Sequence, residues 1–286
     1  MARVLIAGCG YVGTALSVRL ASEGHEVWAL RRSDVEPPSA VRAFRADLTD
    51  VDRLRALPPR LEAIFYMASA GATEDRAYRS AYVDGLRYLL AAVDGHPVRR
   101  IVYVSSTGVY AQQGGEWVDE ESPAEPLHFS ARRLLEGERL LATSRFAATV
   151  VRLGGIYGPR RARLVDRVRR GEATVPAGGP VYANRIHRDD CVGVLRHVFT
   201  LERPAARYVA ADEEPAELAV VLRWIAERVG APPPRIDAAQ TAVRYGRRSN
   251  KRVRPARLLA SGYRFRYPTF REGYGQLIAR HAAPGD

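Results

Sequence analysis

The chain has 286 residues, 47% of them hydrophobic, with 2 cysteines and a formal net charge of +12. That is enough length for one large or two modest domains with a real core. No apolar run reaches about 18 residues, so no membrane-spanning helix is expected. Cys9 and Cys191 lie far apart and have no metal-ligand spacing with each other or with the histidines.

A strand pattern begins by Val4, which leaves no room for a leader peptide, and reduced thiols in a cytoplasmic setting are expected. The positive charge raises nucleic acid as a partner, but the arginines are spread along the chain without interleaved aromatics. Two basic clusters stand out, Arg160-Arg161-Ala162-Arg163 and the stretch 244–254. They read as surroundings for an anionic substrate or cofactor, or as solvated surface. Lys251 is the only lysine, so any chemistry that needs a tunable amine uses it or does without.

The first predicted strand, 3–8, carries Val4-Leu5-Ile6-Ala7 and runs into Gly8-Cys9-Gly10-Tyr11-Val12-Gly13. A helix is predicted over 12–23. Glycines at this spacing let the turn be tight, let the backbone approach a pyrophosphate, and let the helix pack close on the strand. The phosphates then rest on the helix N-terminal amides. A second strand over 26–30 supplies the βαβ context that turns the motif into a dinucleotide site. A plain βαβ turn without ligand is the alternative.

That second strand ends Leu30-Arg31-Arg32-Ser33. A carboxylate at this point holds the ribose 2′-OH of NAD, and an arginine accommodates the 2′-phosphate of NADP. NADP(H) is therefore expected, with Arg31, Arg32 and Ser33 at the phosphate. Asp34 keeps NAD as the second choice, and solvated surface arginines are the bland reading. After a strand over 42–45, Ala46-Asp47-Leu48-Thr49-Asp50 follows. Asp47 reads either as a partner for the adenine edge or as a helix N-cap.

Strands over 62–67, 100–105 and 148–153 alternate with helices over 51–56, 75–93 and 128–143. The pattern predicts an α/β fold, a Rossmann-type doubly wound parallel sheet. Beyond Gly158-Pro159 the pattern loosens. Residues 160–182 read as one helix and a loop, 187–201 and 216–229 as helices, and Pro232-Pro233-Pro234 as a rigid connector. A final helix falls within 258–278. The expected division is 1–159 as the dinucleotide-binding domain, with 184–204 returning to it. Residues 160–286 are expected to form a smaller C-terminal α+β lobe that covers the substrate.

Five segments in order carry a resemblance. They are the glycine turn, Val102-Tyr103-Val104-Ser105-Ser106-Thr107-Gly108-Val109-Tyr110, Arg152-Leu153-Gly154-Gly155-Ile156-Tyr157-Gly158-Pro159, Asn184-Arg185-Ile186-His187-Arg188-Asp189-Asp190, and Tyr263 to Gly273. Together they resemble the extended short-chain dehydrogenase/reductases, the NAD(P)-dependent epimerases and dehydratases, over essentially the whole chain. The resemblance implies that Ser106 hydrogen-bonds the substrate's reacting oxygen, with Ser105 and Thr107 as neighbouring candidates or strand-end caps. It implies cofactor contacts at Gly8, Gly10, Tyr11, Val12 and Gly13, at Leu48 beside Asp47, at Ala68 and Ser105, and at Gly155 and Ile156. It also implies a homodimer through the helices 75–93 and 128–143.

The chain departs from that family where a Tyr-x-x-x-Lys pair belongs. The best register puts Ser130 at the tyrosine position and Leu134 at the lysine position, and no shifted pair exists because Arg247 stands four residues before Lys251. His128 and Arg132 share a helix face and offer an acid–base alternative, beside a plain helix-start histidine. Tyr110 is another candidate proton donor, or packing. Tyr66, Tyr78 and Tyr82 have no place from sequence alone. Two functions are therefore expected to compete. One is an atypical NADP-dependent reductase, epimerase or dehydratase on an anionic or polar small molecule, with nucleotide-linked substrates among the candidates. The other is a non-catalytic NADP(H)-binding sensor or scaffold.

Overall fold

Val4, Leu5, Ile6 and Ala7 are each 0% exposed, as befits a strand covered on both faces within a parallel sheet. The computed structural model containing them describes residues 1–241 and 250–282. The elements begin with β1 (Arg3–Ala7), α1 (Tyr11–Ser22), β2 (Glu26–Arg31), β3 (Arg42–Arg45), α2 (Val51–Leu54) and β4 (Ala63–Tyr66). Then come α3 (Asp75–Arg79), a π-helical turn (Ser80–Asp84), α4 (Gly85–Ala92), β5 (Arg100–Ser106), β6 (Glu116–Val118), α5 (Phe129–Ala142) and β7 (Ala148–Leu153). The remainder comprises β8 (Gly155–Tyr157), α6 (Arg163–Arg169), β9 (Thr174–Ala177), β10 (Arg185–His187), α7 (Arg188–Thr200) and β11 (Arg207–Ala210). It ends with α8 (Leu218–Val229), β12 (Arg235–Thr241), β13 (Lys251–Val253), α9 (Ala256–Ala260) and α10 (Phe270–Ala282).

The central sheet has seven strands in the order β11-β7-β5-β4-β1-β2-β3. β1 pairs in parallel with β2 on one side, Ile6 opposite Ala29, and with β4 on the other, Ile6 opposite Phe65. The strand order reverses at β1, which opens a crevice at the carboxyl ends of β1 and β4. This is the α/β, doubly wound parallel arrangement that the alternation of elements predicts. No helix among the described residues is long and apolar enough to cross a membrane.

The chain forms two compact units. The first comprises Met1–Val109, Pro126–Arg152 and Val192–Tyr208. Its core joins Leu5, Leu30, Ile64, Tyr66 and Tyr103 from the strands to Leu54, Leu86, Leu89 and Leu141 from the helices. The second comprises Tyr110–Glu125, Leu153–Cys191 and Val209–Asp286. Its core packs Val165 and Val168 of α6 against Val221, Leu222 and Ile225 of α8 and Phe270 and Leu277 of α10. Three parallel strand pairs lie in this unit or at its rim: β8 with β10, β9 with β12, and β6 with β13.

Two elements differ from the sequence expectation for physical reasons. The helix predicted over 75–93 is broken by the π-helical turn at 80–84. There the Tyr66 hydroxyl donates to the Ala81 carbonyl at 2.5 Å, an outside claim on a helix carbonyl of the kind that opens a regular ladder. Gly85 lets the helix come close at this point, since a Cβ on it would lie 2.9 Å from Leu48 Cβ. The loop expected after the helix in 160–182 contains strand β9, whose partner β12 lies some sixty residues further along the chain. Of the basic stretch 244–254, residues 244–249 lie outside the described ones.

Candidate functional site

The glycine turn is shaped as its spacing implies. Gly8 has φ +93, and a Cβ on it would lie 2.5 Å from the backbone nitrogen of Ala68, so no other residue fits. The Gly8 and Cys9 amides both donate to the Leu30 carbonyl, at 3.0 and 3.1 Å. Gly13 brings α1 onto the sheet, because a Cβ there would meet the Gly8 carbonyl and Ile6 at 3.2 Å. Gly10 caps α1, and a Cβ on it would meet nothing within 4 Å. That space is where a ligand's phosphates would approach. No side-chain hydrogen bond caps α1, and its first turn, at Tyr11, Val12 and Gly13, carries no acidic residue. Burial pushes the Cys9 thiol up, so it stays neutral beside Thr14.

Arg31, Arg32 and Ser33 follow at the end of β2. Arg31 Nε donates to Ser33 Oγ at 3.1 Å, and Arg32 lies 3.6 Å from Asp47. A cavity of about 370 Å³ is lined by Arg32, Arg45, Ala46, Asp47, Asp50 and Arg53. Burial alone would raise the Asp47 carboxyl, but the Thr49 amide and hydroxyl, with Arg32, hold it below the usual range. The N-cap of α2 is Asp50, which accepts from the Arg53 amide at 3.0 Å. Asp47 is therefore a turn residue facing the cavity. Asp34, three residues past the end of β2, pairs with Arg45. Leu48 is 9% exposed and packs in the core beneath Gly85, away from the cavity wall.

At the end of β5, the two serines separate in role. Ser105 is buried and donates to Glu138 Oε1 at 2.6 Å, inside the buried pair of Glu138 with Arg152. Ser106 is half-buried, and its oxygen accepts the Gly108 amide at 3.0 Å. Of the two, Ser106 is the hydroxyl less committed to the core. On α5, Ser130 is half-buried and Leu134 is buried at 8% exposure against the Tyr103 hydroxyl, so the lysine position holds core packing. His128 is exposed at the N-cap of α5, and its carbonyl accepts the Arg132 amide. The Arg132 side chain turns back to the Leu127 carbonyl at 3.5 Å.

The second unit holds the other candidates. Tyr110 is 1% exposed, and its hydroxyl donates to the Asp119 carbonyl at 2.6 Å, the packing role that sequence left open. Gly155 is exposed and Ile156 half-buried on β8, and the Gly155 amide donates to Asn184 O at 2.8 Å. Lys251 is 1% exposed, and its Nζ donates to Tyr110 O at 3.3 Å. Burial lowers its pKa to about 8. Asp190 accepts from the Tyr263 hydroxyl and from the Arg266 and Tyr267 amides at 2.9, 2.7 and 3.0 Å. Two motifs some seventy residues apart thus meet in one structural knot. Sequence reasoning missed Arg45, Arg53, Glu138 and Arg152; only their position beside a strand end or inside the core marks them. Among the described residues no cluster could hold a metal ion.

The chain matches the model of the NAD dependent epimerase/dehydratase family over residues 4–203. The 3-diazoavenalumate denitrifying reductase of a Streptomyces species is 31% identical, over 96% of this chain and 99% of that protein. A solved structure from Methylobacillus flagellatus, named for the same family, superposes with a TM-score of 0.80 at 36% identity and covers 98% of each chain. Human epimerase family protein SDR39U1, isoform 2, with NADPH superposes at TM-score 0.78 over 97% of this chain and 99% of that one. At 20% identity that last likeness is one of fold.

Proposed function

This chain belongs to the NAD-dependent epimerase/dehydratase family, and from that membership we propose that it is an NADP(H)-dependent oxidoreductase or epimerase acting on a polar, anionic small molecule. The observation that carries the cofactor choice is the cavity at the ends of β2 and β3, whose wall holds three guanidiniums, Arg32, Arg45 and Arg53, beside Asp47, which Arg32 faces, and Asp50, which caps α2. Guanidinium matches phosphate oxygens two at a time, whereas NAD needs a carboxylate for its ribose hydroxyl. The glycine turn fits the rest of the group, because Gly8 lets the turn lie against Ala68 and Gly10 leaves open the space that a Cβ would enter.

The bound dinucleotide supplies the hydride chemistry. Gly8 to Gly13 hold its phosphates, Arg31, Arg32 and Ser33 its 2′-phosphate end, and Ser106 orients the substrate's reacting oxygen. An anionic substrate is supported by Arg160, Arg161 and Arg163, all exposed, which follow β8. Arg160 has φ +65, a backbone held in the left-handed region.

A second reading has its own support. Ser130 and Leu134 cannot do the work of a phenol and an ammonium, so a non-catalytic NADP(H) sensor or scaffold fits the same fold. NADPH and NADH binding, followed by fluorescence, tests the cofactor: NADPH is expected to bind at least about tenfold more tightly. Equal or tighter NADH binding overturns that reading. Turnover on a panel of carbonyl and sugar-nucleotide substrates, lost in Ser106→Ala, supports the enzyme; tight NADPH binding with no turnover supports the sensor.

A further inference from the structure

Helix α5 offers no phenol to the site, so any proton delivered from a side chain comes from elsewhere. The first unit holds several tyrosines, and the structure sorts them. Tyr66 and Tyr103 are fully buried, and their hydroxyls go to the carbonyls of Ala81 and Leu134. Burial pushes both phenols far up. Tyr82 is different. It is half-buried and sits in the π-helical turn at 80–84, a distortion that clusters at functional sites.

The surroundings of Tyr82 point to the cofactor crevice. Its hydroxyl reaches the backbone amide of Ala70, in the loop after β4. That loop touches the glycine turn at one end, where Ala68 abuts Gly8, and the 2′-phosphate end at the other, where Gly71 abuts Arg32. On its other side the Tyr82 ring meets Tyr78 at 5.6 Å, and Tyr78 meets Phe129 at the first turn of α5 at 5.5 Å. The Tyr82 backbone is fixed too, since its carbonyl lies where a Cβ on Gly137 would come within 2.4 Å. Tyr82 thus lies beside the loop after β4 and, through Tyr78, is linked to Phe129, the residue before Ser130.

We propose that Tyr82 is the proton donor of this protein, in place of the missing phenol on α5. The inference deepens the NADP(H)-oxidoreductase reading and rests on it. In a carbonyl reduction a bound reduced dinucleotide would supply the hydride to the carbonyl carbon, and the displaced π pair would come to rest on oxygen. That oxygen takes the Tyr82 hydroxyl proton, and solvent then reprotonates the phenolate. Burial, with Tyr78, pushes the Tyr82 phenol above the usual range, and the Ala70 amide offsets part of that rise. No lysine is at hand on α5, so the positive charge of the oxidised nicotinamide is the cation that would ease ionisation. The ionisable groups around Tyr82 are Tyr78 on its own helix, Tyr66 on β4 and Tyr103 on β5; the Asp75–Arg133 pair ties α3 to α5, and Glu138 is held by Arg152.

The test needs no substrate. Tyrosinate absorption is titrated with pH, with and without saturating NADP+, for the wild type, Tyr82→Phe and Tyr78→Phe, with NADP+ and NADPH binding measured separately. NADP+ is expected to lower the ionisation of one tyrosine by about one pH unit or more, as an opposite charge nearby does. That step is expected to vanish in Tyr82→Phe and persist in Tyr78→Phe. A step that survives in Tyr82→Phe overturns the assignment, as does a wild type that binds NADP+ and shows no step. Failure to bind either nucleotide overturns the cofactor reading itself, and this assignment with it.

Discussion

Glu138 of α5 grips Arg152 of β7 with two hydrogen bonds, 3.0 and 2.6 Å, and neither side chain is more than 5% exposed. Ser105 of β5 adds a third bond at 2.6 Å. The pair ties α5 to β7, and the Ser105 bond adds β5, the strand that ends in Ser106. Buried pairs of this kind lose more when one partner is removed than they gain by existing, because the survivor is an uncompensated charge. Glu138→Ala is therefore expected to cost about 3–5 kcal/mol in urea unfolding. The double variant Glu138→Leu with Arg152→Met is expected to unfold at higher urea than Glu138→Ala. Equal stability of Glu138→Ala and the wild type would contradict the buried pairing.

The glycine turn separates a folding role from a binding role. Gly8→Ala puts a Cβ 2.5 Å from Ala68 N at a positive φ, so Tm is expected to fall by several degrees or more. Gly10→Ala meets no atom within 4 Å and has φ −96, so the fold should tolerate it. Its methyl group instead enters the phosphate space. NADPH affinity is expected to drop at least about tenfold with Tm nearly unchanged, at the modest cost of alanine in a cap position. Unaltered NADPH affinity in Gly10→Ala would remove the phosphates from this turn.

Lys251 gives a pH signature. Its folded pKa lies near 8, against 10.5 for an ordinary lysine, because burial disfavours the ammonium. Between those values the unfolded chain binds the proton and the folded one does not, so stability rises with pH across that window. Tyr66 and Tyr103 act the other way above about pH 10, since they hold their protons only when folded. The useful comparison is thus wild type against Lys251→Met in urea at pH 7.5 and 9.5 or so. The wild type is expected to gain on the variant by on the order of 1–3 kcal/mol over that interval. A constant difference would mean that the amine titrates normally.

Asp190 accepts three hydrogen bonds from the segment 263–267, although burial raises its carboxyl above the usual range. Asp190→Ala leaves the Arg266 and Tyr267 amides without that acceptor, and a loss of about 3 kcal/mol is expected. Hydrogen exchange at those two amides is the direct measurement. Unchanged protection would show that the knot is held by other contacts.

Much of the nucleotide-binding half was legible in the residues. The glycine spacing, the apolar runs of β1 and β4 and the paired arginines after β2 are local signals, set by chain stiffness, burial on two faces and charge. Short strands such as β6, β8 and β10 escaped, because three residues carry no period and their partners are distant in sequence. The π-helical turn escaped too, since it depends on a hydroxyl from β4 claiming a helix carbonyl.

By itself the sequence determined the family, the parallel sheet and the glycine spacing after β1, and it puts Arg247, not a tyrosine, four residues before its one lysine, Lys251. Each of these rests on residue type at fixed spacing. Only the tertiary structure decided which hydroxyls are spent. Ser105 is committed to Glu138, Tyr110 to Asp119, and Tyr66 and Tyr103 to helix carbonyls, while Ser106 and Tyr82 remain nearer the surface. A hydroxyl's chemistry depends on its burial and its partner, and both are set by residues far away along the chain.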